Sequence, residues 1–83
     1  LTYKIKFKKS VYKDLSKVPS KEVKIILDKI DVFLAEKPTI LPASKGKFKG
    51  MRRLRMGNYR IIYVIIDDVV LVLRIHHRKD VYK

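Results

Sequence analysis

The chain has 83 residues, and its formal net charge of +13 arises from 21 Lys and Arg against 8 Asp and Glu. It is near the size at which one core suffices, and that charge points to a polyanionic partner: nucleic acid first, an acidic protein second, an anionic membrane third. With no cysteine, a disulfide framework, a thiolate nucleophile and a cysteine-based zinc site are excluded, and an intracellular, cytoplasmic location fits.

One domain over residues 1–83 is expected. The longest apolar run, Ile61 to Ile66, is too short to cross a bilayer, so no membrane association is expected. Leu1 to Lys9 alternates lysine with apolar residues instead of forming the continuous apolar core of a secretory signal.

The first element is a strand. From Thr2 to Lys8, Tyr3, Ile5 and Phe7 fall on one side and Lys4, Lys6 and Lys8 on the other, the pattern of a half-buried strand with a solvated lysine face. Ser10 is the expected N-cap of a short helix in which Val11, Leu15 and Val18 repeat at helical spacing before Pro19. Ser20 is the expected cap of a longer helix. Its Val23, Ile26, Leu27, Ile30, Phe33 and Leu34 form one apolar stripe ending before Pro38. Asp14, Glu22, Asp28, Asp31 and Glu36 fall on these helices, which leaves the helical side nearly neutral and the positive field on the sheet.

Pro38 to Lys49 reads as a loop. Its Ser44-Lys45-Gly46-Lys47 run lacks the glycine spacing and following helix of a Walker motif. Lys45, Lys47 and Lys49 suit a basic RNA-binding rim, to which Arg52 and Lys79 are expected to add, and simple solvation serves the loop lysines equally well.

Arg52 to Tyr63 then holds four of the six arginines in two alternating runs joined at Gly57-Asn58, a signal for a two-residue hairpin. That turn sets Met56 opposite Tyr59, Arg55 opposite Arg60, Leu54 opposite Ile61 and Arg53 opposite Ile62, so Arg53, Arg55 and Arg60 share a face. Arg55 opposite Arg60 is repulsive unless an anion lies between them.

Asp67-Asp68 marks a second turn. If it too is two residues long, Ile75 faces Arg60, Leu73 faces Ile62, and His77 lies beyond Arg60 on the arginine face. The expected fold is α+β, in the order β-α-α-β-β-β, with a mostly antiparallel sheet of about four strands packed on one face by a two-helix hairpin. Ile62, Val64, Ile66, Leu71 and Leu73 are left on the arginine side without helices to cover them. A protein partner, loops or a dimer could cover them.

No metal or other cofactor is expected. Asp67 and Asp68 sit at the far end of the sheet from the arginines, and His76 and His77, adjacent in a strand, point to opposite faces. Metal-free RNA cleavage needs less: a ribose 2′-hydroxyl held in line with its own phosphate, a charge clamp, and proton carriers. Arginines clamp phosphate well and are poor bases. His77 and Tyr82 are the candidate carriers.

The element order, the run Leu54-Arg55-x-Gly57-x-Tyr59-Arg60-Ile61-x-Tyr63, the closing His77-Arg78-x-x-Val81-Tyr82, and Ser10 to Leu15 together resemble the RelE branch of the RelE/ParE toxin superfamily over essentially the whole chain. The resemblance implies a toxin of a type II toxin–antitoxin pair. Such a toxin is held inactive by a cognate RelB-like antitoxin whose acidic or amphipathic segment wraps it in a hetero-oligomer. When free, it cleaves mRNA in the ribosomal A site by 2′-hydroxyl attack. By that likeness the family's catalytic positions fall on Arg53, Arg55, Arg60, Arg78 and Tyr82, with His77 sharing the tyrosine's role. Two alternatives stand beside it: a ParE-like inhibitor of DNA gyrase, and a non-catalytic basic RNA-binding module.

Overall fold

The computed structural model describes residues 2–46 and 49–77. Strand β1 (Lys4–Phe7) leads into helix α1 (Lys9–Leu15) and helix α2 (Ser20–Lys29), which continues as a π-helical segment (Ile30–Leu34). Strands β2 (Arg52–Met56), β3 (Tyr59–Ile66) and β4 (Val69–His77) follow. The strands form one sheet in the order β1-β4-β3-β2. The expected β-α-α-β-β-β architecture is therefore present.

The sheet is mixed. Tight turns make β2–β3 and β3–β4 antiparallel, whereas β1 pairs with β4 in parallel. No tight turn joins β1 to β4, so nothing local imposes an antiparallel direction on that pair.

The helices cover one face only. Val11, Ile26, Ile30 and Leu34 pack against Met56, Ile61, Tyr63, Val70, Val72 and Ile75, all of them buried. The helical stripe read from sequence is this contact, and Leu27 and Phe33 flank it. Fully burying such a side chain is worth about 1.5–3 kcal/mol, which makes this face the principal source of stability.

Both serines expected as caps have other positions. α1 starts one residue before Ser10, and the Ser10 hydroxyl donates to the carbonyl of Leu73 at 2.7 Å. Ser20 is the first residue of α2, with Pro19 at the cap position, and the Pro19 carbonyl accepts from the N–H groups of Glu22 and Val23.

The Ser10 bond belongs to a wider arrangement at the edge of the sheet. β1 is short and pairs only with Val69 to Val72 of β4. Beyond that point α1 takes over. Ser10 binds Leu73, and the Asp14 carboxylate accepts from the Ile75 N–H at 2.9 Å and from Arg74 Nε and Nη2 at 2.8 and 2.9 Å. Side chains thus occupy polar edge groups that a longer β1 would have paired, which closes part of an edge otherwise open to other chains.

Candidate nucleic-acid interface

The β2–β3 hairpin adopts the register expected from sequence: Arg53 opposite Ile62, Leu54 opposite Ile61, Arg55 opposite Arg60 and Met56 opposite Tyr59. Gly57 carries the positive φ of the turn, at 59°, and Asn58 does not, which is the pattern of a type II′ hairpin. Because Leu54, Met56 and Ile61 point to the helices, Arg53, Arg55 and Arg60 point the other way. Arg53 and Arg55 are exposed and Arg60 is half-buried. Among the described residues no hydrogen bond or ion pair engages any of the three.

The β3–β4 hairpin differs from expectation halfway along. Asp67-Asp68 is indeed a two-residue turn, with Asp67 at a φ of 56°, and pairing runs regularly from Ile66 opposite Val69 to Tyr63 opposite Val72. The register then shifts between Ile62 and Tyr63. Leu73 is left over, and Ile62 pairs with Arg74, Ile61 with Ile75, Arg60 with His76 and Tyr59 with His77.

One extra residue reverses the parity of everything after it. Ile75, expected on the arginine face, is in the core at 3% exposure, and Arg60 faces His76 instead. His77 lies on the helix side, not beyond Arg60. An unbroken register would have turned the Arg74 guanidinium into the core opposite Ile61; the bulge avoids that cost. The change of phase in the apolar pattern, from Val70 and Val72 to Ile75, was the signal in the sequence. His76 is the residue that reading the sequence missed.

On the helix side of the hairpin end, the Tyr59 hydroxyl donates to Glu22 Oε2 at 2.5 Å. The Tyr59 ring meets His77 edge to face, with centroids 5.0 Å apart. The bond to Glu22, with smaller effects of burial and of the Glu22 charge, pushes the Tyr59 phenol up to about 12. An open cleft of about 700 Å³ lies here between the α1–α2 turn and the end of β4, lined in part by Asp14, Glu22, Tyr59, His76 and His77.

Asp14 is the best-held carboxylate in this region. Burial raises its pKa, but the hydrogen bonds from Arg74 and the Ile75 N–H, with the charges of Arg74 and His76, bring it below the ordinary value.

Arg52 does not join the basic rim. It pairs opposite Tyr63 on the helix side, and its guanidinium donates to the carbonyls of Thr39 and Leu41. Beside it the buried Tyr63 hydroxyl donates to the Pro38 carbonyl at 2.8 Å, so the two side chains tie the loop to the sheet. Burial raises the Tyr63 pKa against the opposing charge of Arg52. Lys45 and Lys49 are exposed on that loop, whose base closes through Ser44 N–H to the Met51 carbonyl and Gly50 N–H to the Ser44 carbonyl. Lys47, Arg78, Lys79 and Tyr82 lie outside the described residues.

The arginine face is thus a cationic end, Arg53, Arg55 and Arg60, continued by a partly exposed apolar strip of Ile62, Val64, Ile66 and Leu71. Lys4 and Lys6 border it on β1. Among the described residues no three His, Cys, Asp or Glu side chains gather as metal ligands would, and no helix is long and apolar enough to cross a membrane.

Comparison with known proteins places this geometry. Residues 5–82 match the family described as the ParE toxin of the type II toxin–antitoxin system parDE. The chain is 32% identical to toxin RelE3 of Methanocaldococcus jannaschii, over 95% of this chain and 94% of that protein. It is 27% identical to toxin RelG of Mycobacterium tuberculosis, over 100% and 99%. Among solved structures, it is similar to a chain of the RelBE2 toxin–antitoxin complex from Mycobacterium tuberculosis, with a TM-score of 0.83, 26% identity, and coverage of 94% of this chain and 100% of that one. A chain of the archaeal RelE–RelB complex from Pyrococcus horikoshii is similar with a TM-score of 0.73 and 29% identity, covering 94% and 97%.

Proposed function

The chain belongs to the ParE toxin family of type II toxin–antitoxin systems, within the RelE/ParE superfamily, and from that premise we propose that it is a ribosome-dependent, metal-independent mRNA endoribonuclease. The observation that carries this reading is the clustering of Arg53, Arg55 and Arg60 on the uncovered sheet face, two of them directly opposed and none neutralised among the described residues. A phosphodiester fits between opposed guanidinium forks, which bind phosphate oxygens in pairs and stay charged throughout.

In the proposed reaction the ribose 2′-oxygen attacks the adjacent phosphorus and the bond from phosphorus to the 5′-oxygen breaks. A 2′,3′-cyclic phosphate and a 5′-hydroxyl result. The arginines neutralise the phosphorane, and one proton leaves the 2′-oxygen while another reaches the 5′-oxygen. Arg78 and Tyr82 enter this reading through the family resemblance. The relatives solved as complexes with RelB antitoxins support a cognate antitoxin for this chain, and an acidic or amphipathic segment suits the cationic and apolar face just described.

A second reading is kept because the matching family is described by ParE toxins: inhibition of DNA gyrase by protein contact. The test that separates the two is a translation reaction with purified toxin, followed by primer extension on the mRNA. Cleavage within codons at the ribosomal A site is the expected result. Intact mRNA with continuing translation rejects the proposal, and trapped gyrase–DNA complexes in a parallel supercoiling reaction support the gyrase reading instead.

A further inference from the structure

The register shift has a chemical consequence beyond the charge clamp. Arg55 on β2, Arg60 on β3 and His76 on β4 are paired position by position across three adjacent strands, forming one row on the uncovered face. Residues directly opposite on neighbouring strands lie about 4.5–5.5 Å apart, so a phosphate gripped by Arg55 and Arg60 is within reach of the imidazole. We infer that His76 is a catalytic residue of this site, the group that takes the proton from the attacking 2′-hydroxyl; this rests on the mRNA-cleavage reading above.

The inventory of the face supports the assignment. Its other described polar side chains are arginines and lysines, and an arginine cannot act as a base at neutral pH. An imidazole offers a neutral nitrogen in the physiological range. Tyr59 and His77, on β3 and β4, project to the helix side, and the Asp14 carboxylate is held by Arg74 and the Ile75 N–H. Asp67 and Asp68 are at the opposite end of the hairpin.

His76 is half-buried, so part of its ring is open to substrate. The charged groups around it are Arg60 on the neighbouring strand and Arg55 one strand further, Arg74 two residues earlier on its own strand, Asp14 from α1, and Lys17 and Glu22 across the helix-side cleft whose rim it shares. In the step itself the 2′-O–H proton moves to an imidazole nitrogen as the 2′-oxygen bonds to phosphorus. The 5′-oxygen leaves and takes a proton from solvent, and the imidazolium later returns its own proton to solvent.

The experiment is single-turnover mRNA cleavage on programmed ribosomes from about pH 5 to pH 8. Wild type, His76→Ala and His76→Gln are compared, with thermal melting of each. General-base catalysis predicts that both His76 variants lose at least about 100-fold in rate and lose the rising limb of the pH profile. Added imidazole restores part of the rate to His76→Ala.

His76 variants that cleave at the wild-type rate with an unchanged profile overturn the assignment and leave the proposed function standing. Variants that are slow, keep the limb in their residual activity and do not respond to imidazole also overturn it, assigning His76 to structure. A wild-type protein that leaves the mRNA intact overturns both.

Discussion

Arg60 stands opposite Arg55 in a small fold that already carries excess positive charge, and its replacement separates function from stability. Arg60→Ala removes a like-charge contact, so its melting temperature is expected to equal or exceed that of wild type while mRNA cleavage falls by at least about 100-fold, the order found on removing one group that stabilises transition-state charge. Primer extension beside a thermal melt checks both halves.

Tyr63 gives the opposite result. Tyr63→Phe strands the buried Pro38 carbonyl, and the expected loss is about 1–3 kcal/mol, read by urea denaturation, with little change in cleavage.

Asp14 has a folded pKa below its unfolded value, so its contribution is present above the unfolded pKa and disappears as pH falls through the folded one. Asp14→Asn is therefore expected to be clearly less stable than wild type at neutral pH. The two melting curves should converge as the pH drops below the ordinary aspartate range.

Among the elements, the first hairpin was legible from sequence because its cause is local. A Gly-Asn pair between alternating runs sets the register by itself, and Gly57 sits at the positive φ that such a turn requires. No atom lies within 4 Å of where a Cβ would stand at Gly57, so the penalty of Gly57→Ala is purely conformational, about 1–2 kcal/mol for an L-residue held in the left-handed region. Chemical denaturation measures it.

The helical stripe from Val23 to Leu34 was legible for a similar reason, since one face meets one sheet. The second hairpin was only half legible. Asp67-Asp68 announced the turn, but the bulge at Leu73 answers to a distant requirement, keeping Arg74 out of the core and placing Ile75 in it. The parallel pairing of β1 and the roles of Ser10 and Asp14 at the β4 edge are long-range too, with partners 63 and 60 or 61 residues away in sequence. The arginine cluster was therefore readable, whereas the position of the histidine beside it depended on a tertiary compromise.

At the level of the whole molecule, the helical face supplies the core and the bare face carries the charge. On the proposed function, binding of single-stranded RNA to that face releases counterions, and the logarithm of affinity should fall with the logarithm of salt by about 0.7 for each phosphate neutralised. Replacing Arg53, Arg55 and Arg60 with alanine together is expected to shallow that slope by about 2, measured by fluorescence anisotropy on a labelled oligoribonucleotide across a salt series. A slope unchanged by the triple replacement would place the RNA elsewhere on the protein.

The opposed pair Arg55 and Arg60 also makes the protein respond to its ionic surroundings in two contrary ways. With no RNA present, mobile anions shield the guanidinium groups from each other, and screening with a Debye length of about 10 Å at 0.1 M salt weakens their repulsion. Added salt should therefore raise the melting temperature of the free protein while it loosens the proposed grip on RNA. A polyanion does the reverse of separating these effects: by binding only the folded chain it stabilises the fold and occupies the face at once. An anion lying between those two side chains should therefore raise the thermal stability of the chain, and a melt in its presence reads that occupancy.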